Sequence, residues 1–106
     1  MTATNFNYDY KSFTVVDGSN YDVKAQQTDL FKNVPMAGYV RITASAAITI
    51  RLNTTTSPLI SQSSSEILEF GQKFIPCKEI DNIYITNTGT ATVGILLAGW
   101  QDALIG

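Results

Sequence analysis

Histidine is absent from this chain of 106 residues, cysteine occurs once, and only 15% of residues are charged. Without histidine neither a Ser-His-Asp nor a Cys-His arrangement can form, and zinc loses its commonest nitrogen ligand. The lone Cys77 can make no internal disulfide and reads as a small, semi-buried side chain. Seven Lys and Arg against nine Asp and Glu leave a net charge of -2. A partner bound mainly through its phosphates needs the opposite sign, so nucleic acid is disfavoured. The glycines, at 18, 38, 71, 89, 94, 99 and 106, are too scattered for a phosphate-cradling loop. The longest apolar stretch, residues 93–100, falls far short of the roughly 20 residues of a membrane-spanning helix. Met1-Thr2-Ala3-Thr4-Asn5 lacks the basic and apolar regions of a secretory leader, which predicts a protein made and used without secretion. The sequence thus predicts no catalytic residue, no cofactor and no metal, and a protein that is not an enzyme.

Thirteen Thr, eight Ser, seven Asn and five Gln carry the polarity, while eleven Ile and six Val carry much of the apolar content. Uncharged polar residues alternating with β-branched ones suit half-buried strands. In residues 1–10, Phe6, Tyr8 and Tyr10 alternate with Asn7 and Asp9, placing the three aromatics on one side of an extended segment. Two readings follow for 1–10: an edge strand of the domain, or an N-terminal extended arm lying across a neighbouring subunit, with 11–106 as the β-sandwich domain. Residues 11–16 and 21–27 read as strands of a hairpin turning at 17–20, and a short helical turn is expected at 28–32. Residues 37–43 and 47–52 show the clearest period of two, and the short link at 44–46 predicts a tight antiparallel pair. The Ser- and Thr-rich stretch 53–65 predicts a loop with one short edge strand at 59–61, followed by strands at 66–70 and 73–75. Residues 81–86 and 91–100 predict a closing hairpin around 87–90. About eight strands and almost no helix indicate a single-domain, all-β antiparallel β-sandwich or jelly-roll-like barrel.

Several side chains are candidates for contact rather than chemistry. The oxygen-bearing run 17–22 has the composition of a calcium loop but lacks its fixed glycine and terminal glutamate, so a turn is the expected reading. The carboxylates Glu66 and Glu69, and Glu79 and Asp81, are spaced as on a solvated strand edge. Pairing of 37–43 with 47–52 would project Arg41 and Arg51 from the same outward side, and Tyr39 and Tyr84 also occupy outward positions. These four residues form a candidate partner-facing polar surface, suited to an acidic protein or, through tyrosine stacking, to a glycan. Leu96, Trp100, Leu104 and Ile105 add apolar bulk to a strand whose inner face is already filled by Val93, Ile95 and Leu97. So small a domain has little interior for both sets, which predicts a homo-oligomer contact at those four residues.

The passage Asp81-Asn82-Ile83-Tyr84-Ile85-Thr86-Asn87-Thr88-Gly89-Thr90-Ala91-Thr92-Val93, with 95–100 after it, resembles the closing hairpin of small virion proteins of tailed bacteriophages. The family meant is the capsid decoration or cement type, or a related head- or tail-associated β-sandwich. The resemblance implies a virion protein, made in the host cytoplasm, that stabilises the head as an oligomer, with a trimer favoured, bound to the major capsid protein. It further implies that Phe6, Tyr8 and Tyr10 form the partner-binding arm. The competing expectation is a carbohydrate- or receptor-binding module on a phage tail, fibre or cell surface, using Tyr39, Tyr84 and the Ser/Thr loop.

Overall fold

A computed structural model describes residues 6–71, 74–75 and 79–100, with the side chains of Phe6 and Trp100 left aside. The strands are β1 (Phe6–Val15), β2 (Gly18–Asp22), β3 (Tyr39–Ala44), β4 (Ile48–Leu52), β5 (Ile60–Gln62), β6 (Ile67–Phe70), β7 (Ile83–Asn87) and β8 (Ala91–Trp100), with one helical turn, α1 (Val23–Gln26). They form two antiparallel four-stranded sheets, ordered β1-β8-β3-β6 and β2-β7-β4-β5. This alternation of the chain between facing sheets is the strand order of a jelly roll, in agreement with the fold expected from the sequence.

The side-chain alternation is as the sequence predicts, but most of the expected pairings are not. Only β4 and β5 are both consecutive and hydrogen-bonded to each other. The segments read as hairpins at 11–27 and 81–100, and as a tight pair at 37–52, instead cross from one sheet to the other. Strands within a sheet lie about 4.8 Å apart and packed sheets about 10 Å apart, so a two- or three-residue link spans either gap. Burial decides between them, because crossing lets β3 and β4 face each other across one core with Val40, Ile42, Ile48 and Ile50 all buried.

The crossings are held by specific polar groups. The buried Asn87 donates from Nδ2 to the Val15 carbonyl at 3.2 Å and the Gly89 carbonyl at 3.0 Å, tying the end of β1 to the β7–β8 link. Gly89 sits at φ +124°, a conformation that a side chain would oppose. The Ser45 N–H donates to the Thr92 carbonyl at 2.9 Å, and the Thr92 N–H donates to Ser45 Oγ at 2.8 Å, closing the β3–β4 link onto β8.

The helical turn lies earlier than the expected 28–32. Asp22 supplies the cap that fixes it: its carboxylate accepts the Ala25 N–H at 3.1 Å and Asn82 Nδ2 at 2.9 Å. Residues 28–31 form a non-helical turn, which delivers Leu30, Phe31 and, just beyond it, Val34 into the core.

No helix among the described residues is long and apolar enough to cross a membrane.

Candidate functional site

The outer face of the first sheet carries most of the exposed aromatic surface. Its side chains follow from strand register. Tyr8 and Tyr10 on β1 stand opposite Ala98 and Leu96 on β8, which stand opposite Tyr39 and Arg41 on β3. Arg41 in turn stands opposite Glu69 on β6, and Thr43 opposite Ile67. Phe74 packs on Tyr39 with ring centroids 5.7 Å apart. Tyr8 is 68% exposed, Tyr10 61%, Ile67 58% and Phe74 48%, so four large apolar or aromatic groups face solvent on one side of one sheet. Leu96 and Tyr39 lie half-buried among them.

A glycine on β8 lets Tyr10 lie over that strand. A β-carbon at Gly94 would come within 2.8 Å of Thr43 Oγ1 and 3.2 Å of the Tyr10 hydroxyl, so Tyr10 reaches across the central strand only because residue 94 has no side chain. The Tyr39 hydroxyl donates to Glu69 Oε2 at 2.5 Å. Partial burial, then the hydrogen bond to Glu69 and its charge, raise the Tyr39 phenol above the usual tyrosine value, and Arg41 pulls it the other way. Arg41 is exposed and makes no ion pair among the described residues.

Beneath this face, the buried Asp9 takes on a role that the alternation alone did not disclose. Its carboxylate accepts the Asn33 N–H at 3.0 Å, Asn33 Nδ2 at 2.9 Å and the Val34 N–H at 3.1 Å, anchoring the 30–34 segment to β1. The signal available in the sequence was its inward parity with Phe13 and Val15 on the same strand.

The four residues read as one polar surface are divided between the two sheets. Tyr39 and Arg41 project from the first sheet, Arg51 and Tyr84 from the outer face of the second, because β3 and β4 do not pair. Arg51 is held in place by the neighbouring turn: Nη1 donates to the Ser57 carbonyl at 2.6 Å, holding the 54–57 turn. Residues 6–10 continue into 11–15 as one strand paired with β8 of the same chain, so Tyr8 and Tyr10 belong to the sheet and still face outward. Of the expected oligomer contact, Leu96 is half-buried on this face and Trp100 stands opposite Phe6 in the β1–β8 ladder. Leu104 and Ile105 lie outside the described residues, as does Cys77.

A cavity of about 520 Å³ opens on the second sheet between Thr49, Ser61, Gln62, Thr86 and Thr88. Its lining has hydroxyl and amide groups but no charged or aromatic side chain to orient a ligand, which favours the aromatic face as the candidate site. Among the described residues no three carboxylates or thiols are grouped to hold a metal ion. Comparison of the chain with protein-family profiles, with curated proteins and with solved structures finds no match.

Proposed function

We propose that the protein is a structural binding module that attaches to a larger assembly through the outer face of its first sheet. In keeping with the resemblance at residues 81–100, the proposed assembly is a capsid and the chain a decoration or cement protein. The observation that carries this reading is the grouping of Tyr8, Tyr10, Ile67 and Phe74, all exposed, around Leu96 and Tyr39. So many exposed large aromatic and aliphatic groups on one face are uncommon on a protein that works alone, and aromatic residues are enriched where protein surfaces meet. Arg41 at its centre suits a partner that offers a carboxylate. Jelly rolls serve in capsids and in lectins alike, so the fold is compatible with the proposal without selecting it.

The test is co-sedimentation with capsids assembled from the major capsid protein encoded in the same genome. A Tyr8→Ser/Tyr10→Ser/Phe74→Ser triple variant is expected to keep its circular dichroism and lose about 100-fold or more in affinity, since anchors of this type contribute about 2 kcal/mol or more each. Equal binding by the triple variant, or none by the wild type, sinks the proposal.

A second reading is supported by Tyr8 and Tyr39 on either side of Ala98, with the Tyr10 hydroxyl close to Gly94, because exposed tyrosine rings beside small residues are surfaces on which sugar rings can stack. Tyr84 and the 53–65 loop do not contribute to it, since Tyr84 and β5 belong to the other sheet. Glycan-array binding that Tyr10→Ser abolishes, with no capsid binding, would select this reading.

A further inference from the structure

We infer that β1 is a self-association edge at which two copies of the chain pair antiparallel, joining their first sheets into one eight-stranded sheet. The inference deepens the reading above by naming a second copy of this chain as a partner, and it rests on that reading of the protein as a contact-making module.

The argument begins with where main-chain groups point. The Ser45–Thr92 hydrogen bonds show that even-numbered residues of β8 turn their N–H and C=O towards β3. Odd-numbered residues of β8 therefore face β1, and their partners there are 7, 9, 11, 13 and 15. This leaves the N–H and C=O of Tyr8, Tyr10, Ser12 and Thr14 on the outer edge, where no other described segment meets them.

The other three edges are each covered, short or shifted in register, and among the described residues no segment covers the outer edge of β1. At β6, Ile75 donates to the Glu69 carbonyl at 3.1 Å and accepts from the Gly71 N–H at 3.0 Å, capping the edge. The edge strand β5 has three residues, and β2 carries a register shift between Gly18 and Tyr21. Short strands, bulges and covering segments are the usual protection against strand addition. The ten residues of β1 include no proline and are ladder-paired without a shift.

Inward-pointing charges also protect edges, and β1 has two, Asp9 and Lys11. Both already have partners in the chain: Asp9 has Asn33 and Val34, and Lys11 Nζ lies 3.0 Å from Asp29 Oδ2. They consequently select a register instead of blocking the contact. With Tyr8, Tyr10, Ser12 and Thr14 supplying the hydrogen bonds, even residues must face even residues. Setting Tyr8 opposite Tyr10 of the second copy puts Asp9 against Asp9. Setting Tyr10 opposite Ser12 puts Lys11 against Lys11. Setting Tyr10 opposite Tyr10 puts each Asp9 against a Lys11, and this register also pairs Tyr8 with Ser12 and overlaps residues 6–14. It would form about ten main-chain hydrogen bonds. The contact is two-fold and builds a dimer, not the trimer implied by the family resemblance, and it merges the two aromatic faces into one.

The experiment is sedimentation equilibrium on the full chain from 1 to 100 µM, roughly the range in which modest interfaces associate, with disulfide trapping in a Cys77→Ser background. Wild type is expected to dimerise. Ser12→Pro, which removes an edge N–H without touching the β8 ladder, is expected to be monomeric with unchanged circular dichroism. Tyr10→Cys is expected to oxidise to a covalent dimer, because facing residues of a hydrogen-bonded pair lie about 5.5 Å apart, whereas Ser12→Cys is not. A wild type that stays monomeric throughout, or faster trapping through Ser12→Cys than through Tyr10→Cys, overturns the inference. If Ser12→Pro does not fold, the trapping pair still decides. A dimer that ignores capsids keeps this contact and removes the decoration reading; a monomer that binds capsids does the reverse.

Discussion

The two sheets are alike on their inner faces and unlike on their outer ones. Within the core, Ile42, Ile95 and Leu97 of one sheet meet Ile50, Ile83 and Ile85 of the other, all fully buried. Outside, the first sheet presents tyrosines, Phe74 and an arginine that makes no ion pair among the described residues, while the second presents Thr49, Thr86, Tyr84 and an arginine committed to a turn. The inward positions thus make the fold, and the outward positions of one sheet are left for contact. The same residue type serves opposite ends: Arg41 is available, Arg51 is structural.

If the inner faces are equivalent, emptying either should cost the same. Ile95→Ala and Ile50→Ala are each expected to destabilise by about 3 to 4 kcal/mol in urea unfolding. A difference above about 3 kcal/mol would break the equivalence, since it exceeds the usual scatter among core sites. Asp9→Ala should cost about 2 to 3 kcal/mol, because it leaves the buried Val34 N–H without an acceptor and frees the 30–34 segment. Faster amide exchange at Asn33 and Val34, with the strands still protected, would locate that effect.

The arginines sharpen the outer-face contrast. Arg51→Ala is expected to lower stability by about 1 to 2 kcal/mol through the lost bond to Ser57, whereas Arg41→Ala should stay within about 0.5 kcal/mol. Equal effects in thermal unfolding would erase the distinction. The smallest expected effect concerns pH. The Tyr39 phenol is raised in the folded state, so its stabilising contribution is complete below the ordinary tyrosine value of about 10 and is lost as pH rises through the raised one. The stability difference between wild type and Tyr39→Phe should therefore hold steady from neutral pH and shrink only in strong alkali.

Strand parity was legible because it is local. Val93, Ile95 and Leu97 point inward and Tyr8 and Tyr10 lie on one face, as a period of two requires. The separation of Tyr39 and Arg41 from Tyr84 and Arg51 was not legible, since it depended on which strands pair. The Asp9 anchor also escaped notice, because its partners, Asn33 and Val34, are remote in sequence and bind it through main-chain groups as well as an amide. The helical turn was displaced for a related reason: its cap depends on Asp22, whose carboxylate is also held by Asn82 sixty residues away.

By itself the sequence determined that the chain is all-β and which residues of each strand share a face. Tertiary structure decided that the short links cross between sheets, that Tyr8 and Tyr10 share a face with Tyr39 and Phe74, and that β1 is the last strand of its sheet among the described residues. Alternation is fixed by neighbouring residues along one strand, but two or three linking residues reach a strand in the same sheet or in the opposite one equally well. The choice between them belongs to the burial of the whole core.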